Sequence, residues 1–590
     1  MWSCHLPASS ESLCQHFNCL GVFMACAAEK PRYILAVDQG TTSTRACLFD
    51  HSGSPVDVSQ TEFPQHTNSA GWVEHDAMEI WESVVETITT VLQRNGIRQG
   101  MVAAIGITNQ RETSIIWSRS TGIPFRRAIV WQDTRTADWC EKMAAARGGR
   151  DCFRQQTGLP LVPYFSASKI RWMLDNDPTI RDAADRGDAM FGTVDTWLLY
   201  KLTGGSHGGI HATDSTNAAR TMLLNIDTMQ WDDDLCCAFG VPQSVLPEVR
   251  TSSEVYGCVS CTQLPPAVQG TPLGSVMGDQ SAALFGHAGF KRGDTKSTYG
   301  TGCFIVQNVG TARVSSQSGL LSIVAYHIKG QKPVYGLEGS VAVAGSAVQW
   351  LQEATGIIKN SRDIEAVAAS VQDNGGVTFV PAFTGLFAPH WRADARGTIC
   401  GLTRATRPGH IARATLESTA LQCRELVHAM AKESEVPVGQ LNLHVDGGMC
   451  VNDSLMQWQA TLAGVRVCRP VVTETTAAGA AFAAGLAVGF WDDTDQILTT
   501  VKVEREFLPD LADPAAAGTI RAWEKGVERS FGWVERNNDD DSDAGALLST
   551  STAGSDWVYS AMTAVAVAAT AVICWGVVCG LRVPKTEPKH

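Results

Sequence analysis

The alternation of apolar and polar runs along the chain predicts two lobes built on related strand patterns. Three times, an apolar strand runs directly into a turn rich in glycine and hydroxyl residues, and we call these segments the three turn motifs. They are YILAVDQGTTST from Tyr33, STYGTGCFIV from Ser297 and LNLHVDGGMCVND from Leu441. The first two read strand, turn, strand, and each stands near the start of one half of the body. This repetition predicts two related lobes that each open with a β-hairpin.

Between the turn motifs, the apolar positions change from a period of two to a helical period. Helical spacing covers HDAMEIWESVVETITTVLQ at residues 75–93, HIARATLESTALQCRELVHAMAKE at 410–433 and TTAAGAAFAAGLAVGF at 475–490. Strands followed by helices predict mostly parallel sheets with helices on their faces. The Ala- and Gly-rich residues 477–489 predict a helix that packs closely against a sheet, with contact to a ligand as the alternative.

The polar residues of the first turn motif predict a phosphate-binding connection. Residues 33–37 and 46–49 are apolar strands, so residues 38–45 form the connection between them. Backbone N–H groups, hydroxyls and one arginine then surround a small space, which suits a phosphate. An ordinary polar hairpin loop is the alternative. The chain has no G-x-x-x-x-G-K-[ST] and no G-x-G-x-x-G opening a first helix, so it lacks both common nucleotide signatures.

The ends of the chain lie outside this two-lobed pattern. Residues 558–581 carry no charge over 24 positions, which is long enough for a transmembrane helix, with a buried core helix as the alternative. Residues 534–557 predict a flexible acidic linker, and residues 582–590 a short basic tail. Residues 1–30 predict a disordered N-terminal extension, with a signal peptide as the alternative.

Composition and charge restrict the classes of function. The 590 residues, 44% hydrophobic and 18% charged, predict a globular chain with two large domains. The formal net charge of -13, with scattered Lys and Arg, argues against a nucleic-acid partner. The 18 cysteines include one C-x-x-C, at Cys258 and Cys261, without a second pair at zinc-finger spacing. We therefore expect reduced thiols in a cytosolic compartment.

Several longer motifs resemble a known family. YFSASKIRWMLDN at residues 164–176, and GTICGL at 397–402 followed by HIARATLE at 410–417, resemble the two signatures of the FGGY carbohydrate kinases. GWVEHD, AIGITNQRET, AIVWQDTRT, GDQSAALFG, STYGTGCF and PAFTGLFAPHW also resemble that family, and they follow in its order. The resemblance implies an α/β fold of two actin-like, ribonuclease-H-like lobes, each a mixed sheet flanked by helices, with a cleft between them.

The same resemblance assigns the two lobes and their substrates. It implies ATP-dependent phosphorylation of glycerol, with ADP as the second product and Mg²⁺ as the metal. Residues 31–288 would form the N-terminal lobe, which carries the glycerol site and the phosphate loop. Residues 289–533 would form the C-terminal lobe, which carries the nucleotide site.

Phosphoryl transfer requires a base, a metal ion and a scaffold that aligns both substrates. Asp279 falls on the family position of the general base, although its place before a small-residue helix by itself favours a helix N-cap. Asp38 falls on the position that holds Mg²⁺ and its waters. The residues that would then hold the phosphates are Thr41, Thr42, Ser43 and Arg45.

Arg111 and Glu112 fall on the family positions that bind the polyol. The guanidinium would donate to one hydroxyl and the carboxylate would accept from another, which suits a small triol. A surface ion pair is the alternative. The other residues on substrate-binding positions are Trp131, Tyr164, Gln280 and Phe304, whose three aromatic rings are otherwise typical of a core.

The second lobe would supply the nucleotide site. The residues on family positions that bind ATP or ADP are Thr301, Gly345, Gln349, Gly448 and Asn452. Glycine lets the backbone approach the ligand closely, and Asn452 would hydrogen-bond adenine. Closure of two lobes would exclude water, which otherwise competes with glycerol as the acceptor.

Two other functions compete with this interpretation. One is an FGGY kinase for a pentulose or a larger sugar, and Arg111, Glu112 and Trp131 argue against it. The other is a catalytically silent scaffold on the same fold, and the intact Asp38 and Asp279 argue against that. The sequence departs from the family at His390, where A-P-H-W replaces A-P-Y-W and puts an imidazole near the cleft. No segment matches the bacterial loop that binds an allosteric sugar bisphosphate, so we predict no such control.

The predicted anchor determines the expected location and partners. A C-terminal transmembrane helix would make the lipid bilayer a partner, with the ATP-dependent body facing the cytosol. The short basic tail suits the mitochondrial outer membrane, with the endoplasmic reticulum membrane and the cytoplasm as alternatives. The sequence leaves a homodimer open.

Overall fold

The computed structural model of the chain describes residues 32–392 and 394–534. The strands of its first half are β1 (Tyr33–Gln39), β2 (Ser43–Phe49), β3 (Pro55–Glu62), β4 (His66–Thr67), β5 (Val73–His75), β6 (Val102–Asn109), β7 (Ile115–Ser118), β8 (Ala128–Ile129), β9 (Ala189–Gly192), β10 (Ala212–Asp214), β11 (Leu224–Asn225), β12 (Gln230–Trp231), β13 (Glu248–Arg250), β14 (Ser253–Cys258) and β15 (Pro272–Gly278). The helices of that half are α1 (Ala77–Arg94), α2 (Ala137–Ala146), α3 (Arg154–Thr157), α4 (Ser166–Asn176), α5 (Pro178–Asp185), α6 (Val194–Leu202), α7 (Ser215–Ala218), α8 (Asp233–Phe239) and α9 (Asp279–Gly286).

The second half continues the same mixture of strands and helices. Its strands are β16 (Asp294–Tyr299), β17 (Cys303–Gly310), β18 (Leu321–Tyr326), β19 (Val334–Val341), β20 (Thr378–Val380), β21 (Thr398–Cys400), β22 (Asn442–Asp446), β23 (Arg466–Pro470) and β24 (Val503–Phe507). Its helices are α10 (Gly345–Glu353), α11 (Ile364–Ala368), α12 (Pro408–Ser434), α13 (Asp453–Ala463), α14 (Thr475–Val488), α15 (Thr494–Thr500) and α16 (Pro514–Arg529). Short 3-10 helices lie at Arg150–Phe153, Gly205–His207, Gln243–Val245, Pro266–Val268, Ser361–Asp363 and Val438–Gln440.

Each half centres on one large sheet, and the two sheets share a topology. The strand order is β14-β15-β6-β1-β2-β3 in the first sheet and β18-β19-β17-β16-β22-β23-β24 in the second. In both, the opening strand is antiparallel to its hairpin partner and parallel to a later strand, β6 for β1 and β22 for β16. The predicted repeat of an opening hairpin is confirmed.

The expectation of mostly parallel sheets is wrong. In each large sheet, antiparallel pairs outnumber parallel pairs. The reason is that each sheet begins with strands joined by short turns, and such connections force antiparallel pairing. The helices predicted at residues 75–93, 410–433 and 475–490 are confirmed as α1, α12 and α14.

The fold prediction requires a correction, because it included a transmembrane helix. Within residues 32–392 and 394–534, no helix is long and apolar enough to cross a membrane. Even α12, with 27 residues, carries arginine, lysine and glutamate side chains along its length. The segment predicted to span, 558–581, lies outside the described residues, as do the predicted extension, tail and nearly all of the linker. For the described residues, the corrected fold is the two-lobed α/β body alone.

Helix α14 packs by its backbone against both α9 and the first sheet. A Cβ added to Gly479 would lie 1.8 Å from the carbonyl oxygen of Ala282 in α9. A Cβ added to Gly106 in β6 would lie 2.3 Å from the carbonyl oxygen of Ala480. The close packing predicted for this Ala- and Gly-rich helix is confirmed. Because α9 begins at Asp279, the packing fixes where that carboxylate stands relative to the first sheet.

Replacing Gly479 by alanine is expected to destabilise the protein. The added methyl must displace the backbone of α9, and overpacking of this kind costs about 1–3 kcal/mol. A thermal unfolding scan should therefore show a melting temperature lower by several degrees. Gly518→Ala in α16 is the matched control, since a Cβ there meets no atom within 4 Å. It should leave the melting temperature unchanged or slightly raised. Equal melting temperatures for both variants would contradict the close helix contact.

Candidate active site

The first turn motif forms a hairpin whose connection is only residues 40–42. The strands run further than predicted because Asp38 and Arg45 pair directly across the hairpin, and Arg45 Nη1 lies 3.9 Å from Asp38 Oδ2. Asp38 is only 7% exposed. Burial raises its pKa to about 7, against the opposing charge of Arg45, and the carboxylates of Asp279 and Glu474 add to the rise. A bound cation would stabilise the charged form, so this carboxylate fits the predicted role of holding Mg²⁺.

The hydroxyl residues of this hairpin have partners that leave them able to donate. Thr41 Oγ1 accepts a hydrogen bond from Trp131 Nε1 at 3.0 Å, which joins the hairpin to a predicted wall of the acceptor site. Ser43 Oγ accepts one from Gln60 Nε2 at 3.0 Å. Thr42 uses its carbonyl oxygen to accept from the Phe63 N–H. A hydroxyl that accepts one bond keeps its own proton for a phosphate oxygen.

Asp279 is the first residue of α9, directly after the buried strand β15. The N-cap of that helix is Gly278, so the N-cap alternative for Asp279 is wrong. The side chain is 33% exposed, and its Oδ1 lies 3.0 Å from Arg111 Nε and accepts from the Gln280 N–H at 2.6 Å. A Cβ on Gly278 would lie 2.7 Å from Arg111 Cδ, so glycine is needed for the arginine to lie against the strand end. The carboxylate is therefore accessible beside a buried cation.

Arg111 and Glu112 lie in a buried cluster of four charged side chains. Arg111 donates from Nη1 to Glu338 Oε2 at 2.7 Å and from Nη2 to Glu338 Oε1 at 3.2 Å. Glu112 pairs with Arg220 Nε, and Arg220 Nη1 lies 3.3 Å from Glu338 Oε1. All four side chains are at most 3% exposed, so the alternative of a surface ion pair is wrong. Burial acts to raise the pKa of Glu338, but Arg111 and Arg220 outweigh it and lower the pKa to about 2.

The backbone at Glu112 is strained. Its φ of 62° lies in the left-handed region, which is unusual for a residue with a side chain. The conformation is held by hydrogen bonds, because the Glu112 carbonyl oxygen accepts from Ser114 Oγ and from Ser166 Oγ, both at 3.0 Å. Strain of this kind concentrates at functional sites.

The remaining predicted acceptor residues lie on both halves of the chain. The rings of Trp131 and Tyr164 meet edge to face with centroids 5.5 Å apart. Gln280 Oε1 accepts a hydrogen bond from the buried Lys296, which also donates to Thr298 Oγ1. Phe304 lies opposite Thr298 in the β16–β17 hairpin and is thus a neighbour of the same strand end.

The predicted nucleotide residues lie on three backbone turns that are hydrogen-bonded to one another. The N–H of Gly345 donates to the carbonyl oxygen of Gly300 at 3.0 Å, and a Cβ on Gly345 would lie 2.6 Å from that oxygen. Thr301 accepts at its carbonyl oxygen from the Ser346 N–H at 3.1 Å. A Cβ on Gly448 would meet no atom within 4 Å, so this backbone faces open space. Turns of exposed backbone around such a space fit a bound nucleotide.

Two other predicted nucleotide contacts are partly engaged elsewhere. Asn452 caps helix α13, and its Oδ1 accepts from the Leu455 N–H at 2.8 Å. The NH₂ group of Asn452, at Nδ2, is left to donate to a base. Gln349, in α10, donates from Nε2 to Glu353 Oε1 at 2.7 Å. The imidazole of His390 hydrogen-bonds Glu425 in α12 at 2.9 Å, rather than any predicted catalytic residue.

Sequence reasoning missed three charged residues of this region, which are Arg220, Lys296 and Glu338. Lys296 and Glu338 each interrupt a strand whose other positions are largely buried, and Lys296 has an exposed fraction of 0%. A charged residue inside such a strand is the signal that would have found both, because burial of an unpaired charge is costly. Glu338 also lines a cavity of about 1090 Å³, in which neither Asp38 nor Asp279 takes part.

This arrangement fits a two-lobed phosphotransferase, and the comparisons with known proteins agree. Residues 33–286 match the N-terminal domain of the FGGY family of carbohydrate kinases, and residues 295–488 match its C-terminal domain. This chain belongs to the FGGY family of carbohydrate kinases.

Its relatives narrow the class further. The glycerol kinase of Clavibacter michiganensis subsp. michiganensis is 51% identical over 504 residues, which is 85% of this chain and 99% of the relative. The crystal structure of Plasmodium falciparum glycerol kinase with ADP superposes with a TM-score of 0.80 at 36% identity, covering 85% of this chain and 98% of that one. A ligand-bound xylulose kinase from Lactobacillus acidophilus gives a TM-score of 0.74 at 24% identity, covering 84% and 97%, which shows a shared fold.

The predicted location is corrected by the same findings. A mitochondrial outer-membrane anchor, or an endoplasmic reticulum anchor, required a transmembrane helix, and no helix in the described part of the chain could span a membrane. The relatives at about half identity also come from bacteria. The described residues therefore give no support to the lipid bilayer as a partner.

Proposed function

We propose that this chain transfers the γ-phosphoryl group of ATP to a terminal hydroxyl of glycerol, forming glycerol 3-phosphate and ADP. The observation that carries the proposal is the 51% identity to a relative named glycerol kinase, over 99% of that relative's length. The acceptor region supports it, because Asp279 stands accessible beside Arg111, whose neighbour in the chain is the buried, strained Glu112.

Asp279 is the general base of the proposed reaction. Its carboxylate takes the proton of the terminal hydroxyl as that oxygen attacks the γ-phosphorus. The bond from the γ-phosphorus to the bridging oxygen breaks, and ADP leaves with the electron pair. Arg111 donates to a hydroxyl of glycerol, Glu112 accepts from another, and the carbon chain lies against the rings of Trp131 and Tyr164.

The first hairpin and the second lobe hold the nucleotide. Asp38 would bind Mg²⁺, which neutralises charge on the transferring phosphates when it is bound. Thr41, Thr42, Ser43 and Arg45 orient the phosphates. The turns at Gly345 and Gly448 bring backbone against the nucleotide. Further nucleotide contacts come from Thr301, Gln349 and Asn452.

Gln280 and Phe304 complete the acceptor side of the site. The two lobes of the proposed enzyme are residues 31–288 and 289–533, and a homodimer stays a prediction.

The experiment that tests the function compares two acceptors with the purified protein. ADP release is measured with ATP and Mg²⁺ in the presence of glycerol, of xylulose or of neither, and each phosphorylated product is identified by mass spectrometry. We expect rapid ADP release with glycerol only, and its loss when Mg²⁺ is chelated. Preference for xylulose would instead indicate a pentulose kinase. Thermal stabilisation by ATP and glycerol without ADP release would indicate a catalytically silent protein.

A further inference from the structure

The acceptor site of the first half is held by a carboxylate from the second half. Glu338 lies on β19, in the second sheet, whereas Arg111 follows β6 of the first sheet. The two form a bidentate ion pair, with 2.7 Å from Nη1 to Oε2 and 3.2 Å from Nη2 to Oε1. The side chains of Arg111 and Glu338 are 3% and 2% exposed. This pair therefore joins the two halves of the chain at the predicted acceptor site.

The ion pair with Glu338 determines which N–H donors of Arg111 are left for the acceptor. A guanidinium carries five N–H donors in a fixed planar fork. Two of them point to Glu338, and Nε lies 3.0 Å from Asp279 Oδ1. One N–H on each Nη nitrogen is left, and these two donors can bind an acceptor hydroxyl. Rotation of the guanidinium would change both contacts at once.

The charges of the cluster show what Glu338 prevents. Arg111 has three carboxylates around it, from Glu338, Asp279 and Glu112. Glu112 is already engaged by Arg220, and Arg220 also contacts Glu338. If Glu338 lost its charge, Asp279 would be the carboxylate best placed to take its part. A bidentate pair between Arg111 and Asp279 would then occupy the oxygens that accept the substrate proton.

We propose that Glu338 is a positioning residue for the acceptor site. From the second lobe it holds the guanidinium of Arg111, so that Asp279 keeps an oxygen free for the hydroxyl proton and Arg111 keeps donors free for the acceptor. The inference rests on the proposed function, since it assigns the acceptor region of the same reaction. It also makes acceptor binding depend on how the two lobes are placed, because the arginine and the glutamate come from different lobes.

The test uses Glu338→Gln, which removes the charge and keeps the shape, and Glu338→Asp, which keeps the charge. The control is Glu254→Gln, because Glu254 is also buried, at 7% exposure, pairs with Arg250 and lies 4.0 Å from Lys329 of the second half. For each variant, kcat, the KM for glycerol, the KM for ATP and the melting temperature are measured. Glycerol-independent ATP hydrolysis serves as a further readout of the nucleotide side.

A positioning role predicts effects on the acceptor and not on the nucleotide. In Glu338→Gln, kcat should fall about 100-fold, which is the effect of a small misplacement of reacting groups. The KM for glycerol should rise about tenfold, while the KM for ATP and the glycerol-independent hydrolysis stay within about twofold of the wild type. Glu338→Asp should recover a large part of the lost kcat. Glu254→Gln should lower only the melting temperature.

Other outcomes overturn the proposal. If Glu338→Gln loses melting temperature but keeps kcat and the KM for glycerol, as expected of the control, Glu338 is only structural. If Glu338→Gln does not fold, Glu338→Asp decides, because its carboxylate keeps the charge but is one methylene shorter and meets Arg111 less well. The role then predicts an incomplete recovery, with the KM for glycerol raised about twofold or more at an unchanged KM for ATP. A lowered melting temperature with kcat and the KM for glycerol both at the wild-type level rejects the role. If the wild type itself releases no ADP with glycerol, the proposed function has failed. An active wild type with an unaffected Glu338→Gln rejects only this inference.

Discussion

Replacing Asp279 with asparagine is expected to lower kcat for glycerol phosphorylation by about 10²- to 10⁴-fold, the usual contribution of a general base. The amide oxygen can still accept from the Gln280 N–H and from Arg111 Nε, so the local geometry is preserved. The amide cannot take the hydroxyl proton. The loss is measured as glycerol-dependent ADP release at saturating substrates, together with a melting temperature that stays close to that of the wild type.

Asp233→Asn is the matched control for this variant. Asp233 is also the first residue of a helix, α8, and it accepts a hydrogen bond from Gln243 Nε2 at 2.5 Å. The same chemical change at that position should leave kcat unaltered. Activity near the wild-type level in Asp279→Asn would reject the assignment of the base.

Replacing Asp38 with asparagine is expected to reduce kcat about 100-fold or more at ordinary Mg²⁺ concentrations. A metal at the phosphates contributes several kcal/mol of charge stabilisation, and about 1.4 kcal/mol corresponds to a factor of ten in rate. Asparagine keeps an oxygen ligand but loses the negative charge that attracts the cation. The dependence of ADP release on Mg²⁺ should therefore shift to higher concentrations, and excess Mg²⁺ should restore part of the activity.

Asp57→Asn controls for loss of a carboxylate elsewhere in the same sheet. Asp57 lies on β3 and pairs with Arg94 of α1, with 2.7 Å from Arg94 Nη2 to Asp57 Oδ1. Its replacement should leave the Mg²⁺ dependence unchanged. An Asp38→Asn variant that required no more Mg²⁺ than the wild type would show that the metal is held by other groups.

The local features of the fold could be predicted from the sequence because they depend on short-range patterns. The helical period at residues 75–93, 410–433 and 475–490 gave α1, α12 and α14 within a few residues. The glycine and hydroxyl turns also marked both opening hairpins. Strand pairing beyond the hairpins was not predictable in this way, since it depends on contacts between residues far apart in the chain.

The buried cluster of charged side chains could not be predicted from the sequence for the same reason. Arg111 and Glu112 were found from their motif, but their partners Glu338 and Arg220 lie 227 and 108 residues away. No local pattern connects such residues. The burial of Asp38 was also not predictable from the sequence, which indicated a polar loop at this position. In the structure Asp38 lies in a buried strand, and burial raises its pKa to about 7.

The central claim is that Asp279 accepts the proton of a glycerol hydroxyl held under the last phosphate of ATP. A crystal structure with glycerol, Mg²⁺ and a non-hydrolysable ATP analogue tests it most directly. We predict an Asp279 carboxylate oxygen about 2.6–3.2 Å from a terminal hydroxyl, with that hydroxyl facing the γ-phosphorus. A glycerol molecule bound elsewhere, with Asp279 paired to Arg111 and out of hydrogen-bond reach of any hydroxyl, would contradict the claim.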